Sequence, residues 1–155
     1  MSEDNGLDSA KKRSLKILGN RQMAKSDVKR RLVSKGESEE NASETAEWLE
    51  KIGAINDSDY ATAIVKHYCT KGYGLARVKN ELFRRGIPRD MWESALEEAE
   101  GTEDSALDFV KKRLGGGSGK DDQRRTLSAL QRRGFSYDEA RSAINRYLES
   151  LEEQG

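Results

Sequence analysis

A chain of 155 residues that is 34% hydrophobic and 36% charged has too little apolar material for one large core, and its 28 basic and 28 acidic residues cancel to a net charge of zero. That balance disfavours a nonspecific polyanion binder, no run approaches the roughly 20 apolar residues needed to span a bilayer, and a lone cysteine excludes an internal disulfide. The N-terminal segment lacks the apolar core of a signal peptide, so the expectation is a cytoplasmic protein with no membrane association.

Sustained alternation of apolar and polar residues is absent, and the single proline, Pro88, leaves helices almost uninterrupted, which gives an all-α fold class. Three segments repeat a pattern of an apolar position, a leucine and a glycine at intervals of four: Val28, Leu32, Gly36; Val78, Leu82, Gly86; and, degenerately, Thr126, Leu130, Gly134. The glycines lie 50 and 48 residues apart, and each follows a basic residue, Lys35, Arg85 or Arg133. The chain is therefore expected to comprise three tandem three-helix repeats over 1–53, 54–101 and 102–155.

In chain order, Asp8 to Gly19 sets Leu15 and Leu18 on one helical face. Ser26 to Lys35 reads as a helix capped by Ser26 and stopped at Gly36. Ser38 to Ile52 follows, burying Ala42, Ala46 and Leu49. Asp57 serves as the expected N-cap of the fourth helix, whose stripe is Ala61, Ile64, Val65, Tyr68 and Cys69. Leu75, Val78 and Leu82 mark the fifth, and Pro88 opens a sixth along Met91, Ala95, Leu96 and Ala99. Ala106, Phe109, Val110 and Leu114 form the seventh stripe, and Leu127 and Leu130 the eighth. Ser136 and Glu139 make a capping box before Ala140, Ala143, Ile144, Tyr147 and Leu151. Gly115 to Gly119 reads as a flexible link inside the third repeat, and fraying is expected before Leu7 and after Leu151.

Charge is segregated by helix. The second helix of each repeat holds four basic residues, against one acid over Ser26–Gly36, one over Ala76–Gly86 and none over Arg124–Gly134. The third helices run the other way, with six acids and no base over Glu37–Glu50 and five acids against one base over Ile87–Glu100. Over Phe135–Ser150 the excess shrinks to one acid. Two readings stay open: solvated faces of oppositely charged neighbours, or a basic stripe suited to an acidic protein surface or a phosphate backbone.

The middle of the chain carries a specific likeness. Ile55-Asn-Asp-Ser-Asp-Tyr-Ala61, Tyr68, Lys71-Gly-Tyr-Gly74, Arg77-Val-Lys-Asn-Glu-Leu82 and Arg85-Gly-Ile87 together strongly resemble the RecX family, regulators of the RecA recombinase. The likeness is densest over 52–100 and looser in the flanks, where Glu37 stands at a position that is often apolar in the family. It implies tandem three-helix repeats forming an elongated, curved array. It also implies a monomeric, non-catalytic partner of the RecA–DNA filament that inhibits RecA's recombinase, ATPase and coprotease activities, with direct DNA contact possible.

The residues expected to meet that partner are the second-helix cations Lys29, Arg30, Arg77, Lys79, Arg84, Arg85, Arg124, Arg125, Arg132 and Arg133. A direct DNA-binding protein and a scaffold for another protein are the rival readings, the former because a basic second helix resembles a helix-turn-helix. Tyr73, between Gly72 and Gly74, either packs across a tight turn or meets a partner. Trp48 and Trp92 read as packing residues between repeats, Tyr60 as core, and Phe83 as a contact beside Arg84 and Arg85 if exposed. Cys69 lies on an apolar stripe, and His67, the single histidine, has no neighbours at metal-ligand spacing. No nucleophile–base pair or phosphate-cradling loop is present, so neither catalysis nor a cofactor is expected.

Overall fold

Apolar stripes of three or four residues, bounded by caps and glycines, fold here as short helices, and no strand occurs among the described residues. The computed structural model describes residues 3–154. Residues 1–2 and 155, to which part of the expected fraying refers, lie outside the described residues. The helices are α1 (Glu3–Leu18), α2 (Lys25–Ser34), α3 (Glu39–Lys51), α4 (Asp57–Thr70), α5 (Leu75–Arg84), α6 (Trp92–Leu96, preceded by a 3-10 turn over Arg89–Met91), α7 (Thr102–Leu114), α8 (Lys120–Arg132) and α9 (Tyr137–Gln154).

Several ends differ from expectation for identifiable reasons. Helix α1 begins well before Asp8 and carries Gly6 within it, where an added Cβ would stand 3.2 Å from Asn41 Nδ2 of α3. Ser26 does not cap α2, because its hydroxyl donates to the Gly86 carbonyl at 2.7 Å. The Lys25 N–H at the start of α2 instead donates to Asp57 Oδ1 at 2.9 Å. Asp57 is thus diverted from capping its own helix, and Asn56 Oδ1 takes the Asp59 N–H at 3.0 Å. The helix after Pro88 is only one regular turn beyond its 3-10 start, and Ala99 falls outside it. Ser38 caps α3, and the Ser136–Glu139 box caps α9 as read.

The chain forms two compact units, residues 1–63 with 82–95 and residues 64–81 with 96–155, so the stretch expected as the central repeat contributes to both. In the first, α1, α2 and α3 pack mutually around Leu18, Val28, Leu32, Leu49 and Ile55. In the second, α7, α8 and α9 enclose Val110, Leu130, Phe135, Ile144 and Tyr147. Each fully buried leucine in these small cores contributes about 1.5–3 kcal/mol, whereas Leu15, expected to share the α1 stripe with Leu18, is exposed. Thr126 occupies the apolar position of the third motif copy by turning its hydroxyl back to the Asp122 carbonyl at 2.8 Å. The expected flexible link is pinned: Tyr147 Oη accepts from the Gly116 N–H at 2.7 Å and donates to the Gly117 carbonyl at 3.1 Å.

In each unit a repeat glycine brings one second helix against the start of another. In the second unit the Gly74 N–H donates to the Arg133 carbonyl at 2.9 Å and the Ala76 N–H to the Gly134 carbonyl at 3.0 Å. The open C-terminal carbonyls of α8 thus satisfy the open N-terminal donors of α5. A Cβ on Gly74 would stand 2.4 Å from the Gly134 backbone, and one on Gly134 would stand 2.6 Å from Arg77 N. In the first unit Gly86, at the end of α5, receives the Ser26 hydroxyl, and a Cβ there would stand 2.5 Å from that oxygen.

Two stability predictions follow from these contacts. Gly74, whose φ is not positive, isolates close approach from backbone strain. Gly74→Ala is expected to cost about 1–3 kcal/mol in urea unfolding through overpacking alone. Gly53→Ala, at φ 80° but facing open space, is expected to cost only ~1–2 kcal/mol of left-handed strain. An unchanged midpoint for Gly74→Ala would contradict the junction. Burial pushes the Asp57 carboxyl above its ordinary 3.8, partly opposed by the Lys25 N–H bond, with Glu50 raising it and the Lys25 ammonium lowering it. The folded state therefore holds this proton more tightly than the unfolded chain does. The associated stability is present below pH 3.8 and is lost as pH rises through the raised value. Asp57→Asn keeps an acceptor for Lys25 but cannot ionise. Urea midpoints of the two proteins should therefore diverge between pH 4 and pH 7, with the wild type losing ground; parallel curves would refute the assignment.

Candidate partner-binding surface

The ten second-helix cations divide by what their charged groups already hold. Arg77 and Arg133 are committed to the fold of the second unit. Gly72 turns the chain at φ 87°, which sets Tyr73 beside both. The Arg133 guanidinium lies 4.5 Å from the Tyr73 ring centre and 5.5 Å from that of Phe109, and donates to the Lys71 carbonyl at 3.0 Å. Arg77 lies 4.8 Å from Tyr73 and 5.5 Å from Tyr68, and its Nε is 3.3 Å from the buried Glu81 carboxylate. Tyr73 therefore packs across its turn, with two arginine guanidinium groups against its ring.

The other eight lie nearer the solvent. Lys79, Arg84, Arg85, Arg124, Arg125, Arg132 and Arg30 are exposed, and Lys29 is half-buried. Arg30 pairs with Asp27 one turn back, and Arg124 with Asp121 in the same way. Arg125 stands 3.9 Å from Asp122, and Arg85 Nη1 donates to Tyr60 Oη at 3.0 Å. Pairs so exposed are worth little and exchange readily for a partner's anion. Phe83, on the last turn of α5, is 71% exposed, the most of any large apolar side chain among the described residues.

Both tryptophans lie in the first unit and are half-buried. Trp48 lines the α1–α3 core under the Lys11 ammonium, and Trp92 Nε1 donates to the Ile87 carbonyl at 3.0 Å. Some of the acidic third-helix charge is matched locally, with Glu50 3.2 Å from Lys25 and Glu37 3.2 Å from Arg13. Cys69 is buried, and desolvation pushes its thiol up against an opposing hydrogen bond from the Glu100 backbone. A thiol so placed is a poor nucleophile. His67 is exposed, with its ring edge-on to Tyr68.

Residues outside the expected set also carry surface charge. Arg13, Lys16 and Arg21, on or just after α1, share a groove with Arg31 and Lys35, and Arg113 at the end of α7 faces α8. Charge counts confined to second and third helices pass over them. A count of the last turns of the first helices would have found Lys16 and Arg113.

With this surface described, the relatives become informative. The family model described as RecX, second three-helix domain, matches residues 56–96. The regulatory protein RecX of Xanthomonas campestris pv. campestris (strain B100) is 30% identical over 140 residues, covering 88% of this chain and 86% of the relative. The chain belongs to the RecX family. The RecX of Amycolatopsis mediterranei (strain U-32) is likewise 30% identical, over 152 residues, covering 94% of this chain and 85% of the relative. The fold agrees: the crystal structure of RecX from Lactobacillus salivarius superposes with a TM-score of 0.84 at 22% identity, covering 93% of this chain and 97% of that one. These relatives are described as regulatory proteins, and no helix among the described residues of this RecX chain is long and apolar enough to cross a membrane.

The division of the cations is open to a direct check. Arg133→Ala removes two ring contacts and a hydrogen bond, each worth ~0.5–1 kcal/mol, and is expected to cost about 2 kcal/mol in thermal or urea unfolding. Its neighbour Arg132→Ala should stay within about 0.5 kcal/mol of the wild type. Equal effects would show that the contact with Tyr73 contributes nothing.

Proposed function

We propose that the protein binds RecA–DNA filaments and inhibits the recombinase, ATPase and coprotease activities of RecA, as a negative modulator of recombinational repair. Membership of the RecX family over nearly the whole chain carries the reading. The surface supports it through its chemistry. Exposed cations on the second helices suit an acidic protein face or filament phosphates, and Phe83 adds an apolar anchor of the kind that dominates protein interfaces. Inhibition on this reading is by occupancy, since a filament ATPase slows when a bound protein blocks growth or the subunit motions of turnover. Lys29, Arg30 and Lys79 orient the approach, which makes association sensitive to salt.

The test is single-stranded-DNA-dependent ATP hydrolysis by RecA, with the protein titrated in below stoichiometric amounts. The rate is expected to fall. Joint substitution of Lys29, Arg30 and Lys79 by glutamine should weaken the inhibition and flatten its dependence on salt. A rate unaffected by the intact protein would remove the reading, and a triple variant that inhibits normally at moderate salt would remove the electrostatic part of it.

A further inference from the structure

The second unit also holds a hollow of opposite character to its basic second helix. A cavity of about 270 Å³ lies between α7 and the first turns of α9. Its floor is apolar, formed by the buried side chains of Ala106, Phe135 and Ala143. Its rim carries Glu103 from α7 and Asp138, Glu139 and Arg146 from α9. Asp138, Ser142 and Arg146 follow one another at four-residue intervals, so a single face of α9 supplies them. Acids in the first turn of a helix often do no more than answer its open donors. Glu139 does so in the capping box, accepting the Ser136 N–H at 2.8 Å. Glu103 and Asp138 are exposed, and neither has a hydrogen-bond or ion-pair partner among the described residues.

The magnitudes leave a negative surplus. Three carboxylates against one guanidinium give the rim two net negative charges. The two helix starts return only about half a positive charge each, so the mouth keeps about one negative charge and favours a cation. Volume and lining narrow the occupant further. Pockets for whole small molecules run to roughly 300–1,000 Å³, so this smaller one suits a single side chain. An apolar floor beneath a negative rim matches a lysine or arginine, whose methylene stem buries while its charged head stays at the wet edge. Arg146 stands about 12 Å of helix rise beyond Asp138 and repels a second cation at that end, which disfavours a free diamine.

From this geometry we infer that the cavity between α7 and α9 seats a lysine or arginine side chain of a protein partner, an anchor separate from the contacts of the basic second helices. The inference goes beyond the filament reading and is tested without RecA, so each can fail alone. The experiment is an amide NMR titration of the intact, isotope-labelled protein with three probes: Nα-acetyl-lysine methylamide, its neutral analogue Nα-acetyl-norleucine methylamide, and putrescine. The lysine compound is expected to shift the amides of Ala106, Ser142 and Ala143 at lower concentration than either of the others. Glu103→Gln with Asp138→Asn should weaken it by about two- to fivefold for each carboxylate lost and leave the norleucine compound unaffected. Glu149→Gln with Glu152→Gln removes the same charge further along α9 and should change nothing. Unmoved amides in the rest of the spectrum check that each variant is folded. Three results would overturn the inference: no shift at those amides, a norleucine compound bound as tightly as the lysine one, or putrescine bound more tightly than both. The last would assign the cavity to a free polyamine.

Discussion

Short helices with small cores need more than apolar contact to hold a defined arrangement, and here the constraint is hydrogen-bonded docking at helix ends. An α-helix leaves donors open at its start and acceptors open at its finish. In the second unit the finish of α8 supplies acceptors to the start of α5, through backbone bonds at Gly74 and Ala76. The approach is so close that only glycine fits on both sides, at Gly74 and Gly134. In the first unit Gly86 receives the Ser26 hydroxyl, which leaves the start of α2 to the Asp57 carboxylate. The repeat glycines therefore end a helix and also admit another chain segment. Their second role explains why Ser26 and Asp57 do not cap the helices their positions suggest.

The same junction sorts the charged residues. Arg132 and Arg133 are adjacent, yet one helical step of about 100° sends Arg132 toward solvent and Arg133 across Tyr73 and Phe109. Arg77, the residue after the docked Ala76, lies against the same ring. A cation can thus be an internal brace or a surface contact according to its phase on the helix relative to the docked end. The charge of a helix taken as a whole does not distinguish the two.

Much of the architecture was legible because it rests on local rules. The stripes Val28–Leu32, Ala42–Ala46–Leu49 and Ala140–Ile144–Tyr147 are buried where helical spacing puts them, and the capping box at Ser136 and Glu139 closes as its residues imply. The contacts that escaped are those in which a residue serves a distant segment. Asp57 caps a helix 32 residues away, Arg133 braces a turn 62 residues away, and the Tyr147 hydroxyl fastens a glycine link 30 residues away. Nothing in local spacing encodes such partners. The candidate surface was legible as a set of second helices, but not in its division into braces and exposed groups, nor in its extension to Lys16, Arg21 and Arg113 on the first helices.

The span of the junctions bears on the order of events as the chain folds. Helices α1 to α3, and likewise α7 to α9, meet across turns of a few residues, so each bundle closes small loops. The bond from Ser26 to Gly86 closes one of 60 residues, and that from Arg133 to Lys71 one of 62. Loop-closure entropy grows with the logarithm of length, and contacts distant in sequence slow the step that forms them. On that count the two bundles form first, and the glycine junctions close last, onto helices already in place. A chain emerging from the ribosome would expose the α1–α3 bundle before Gly86, and the start of α2 would wait for its serine's acceptor.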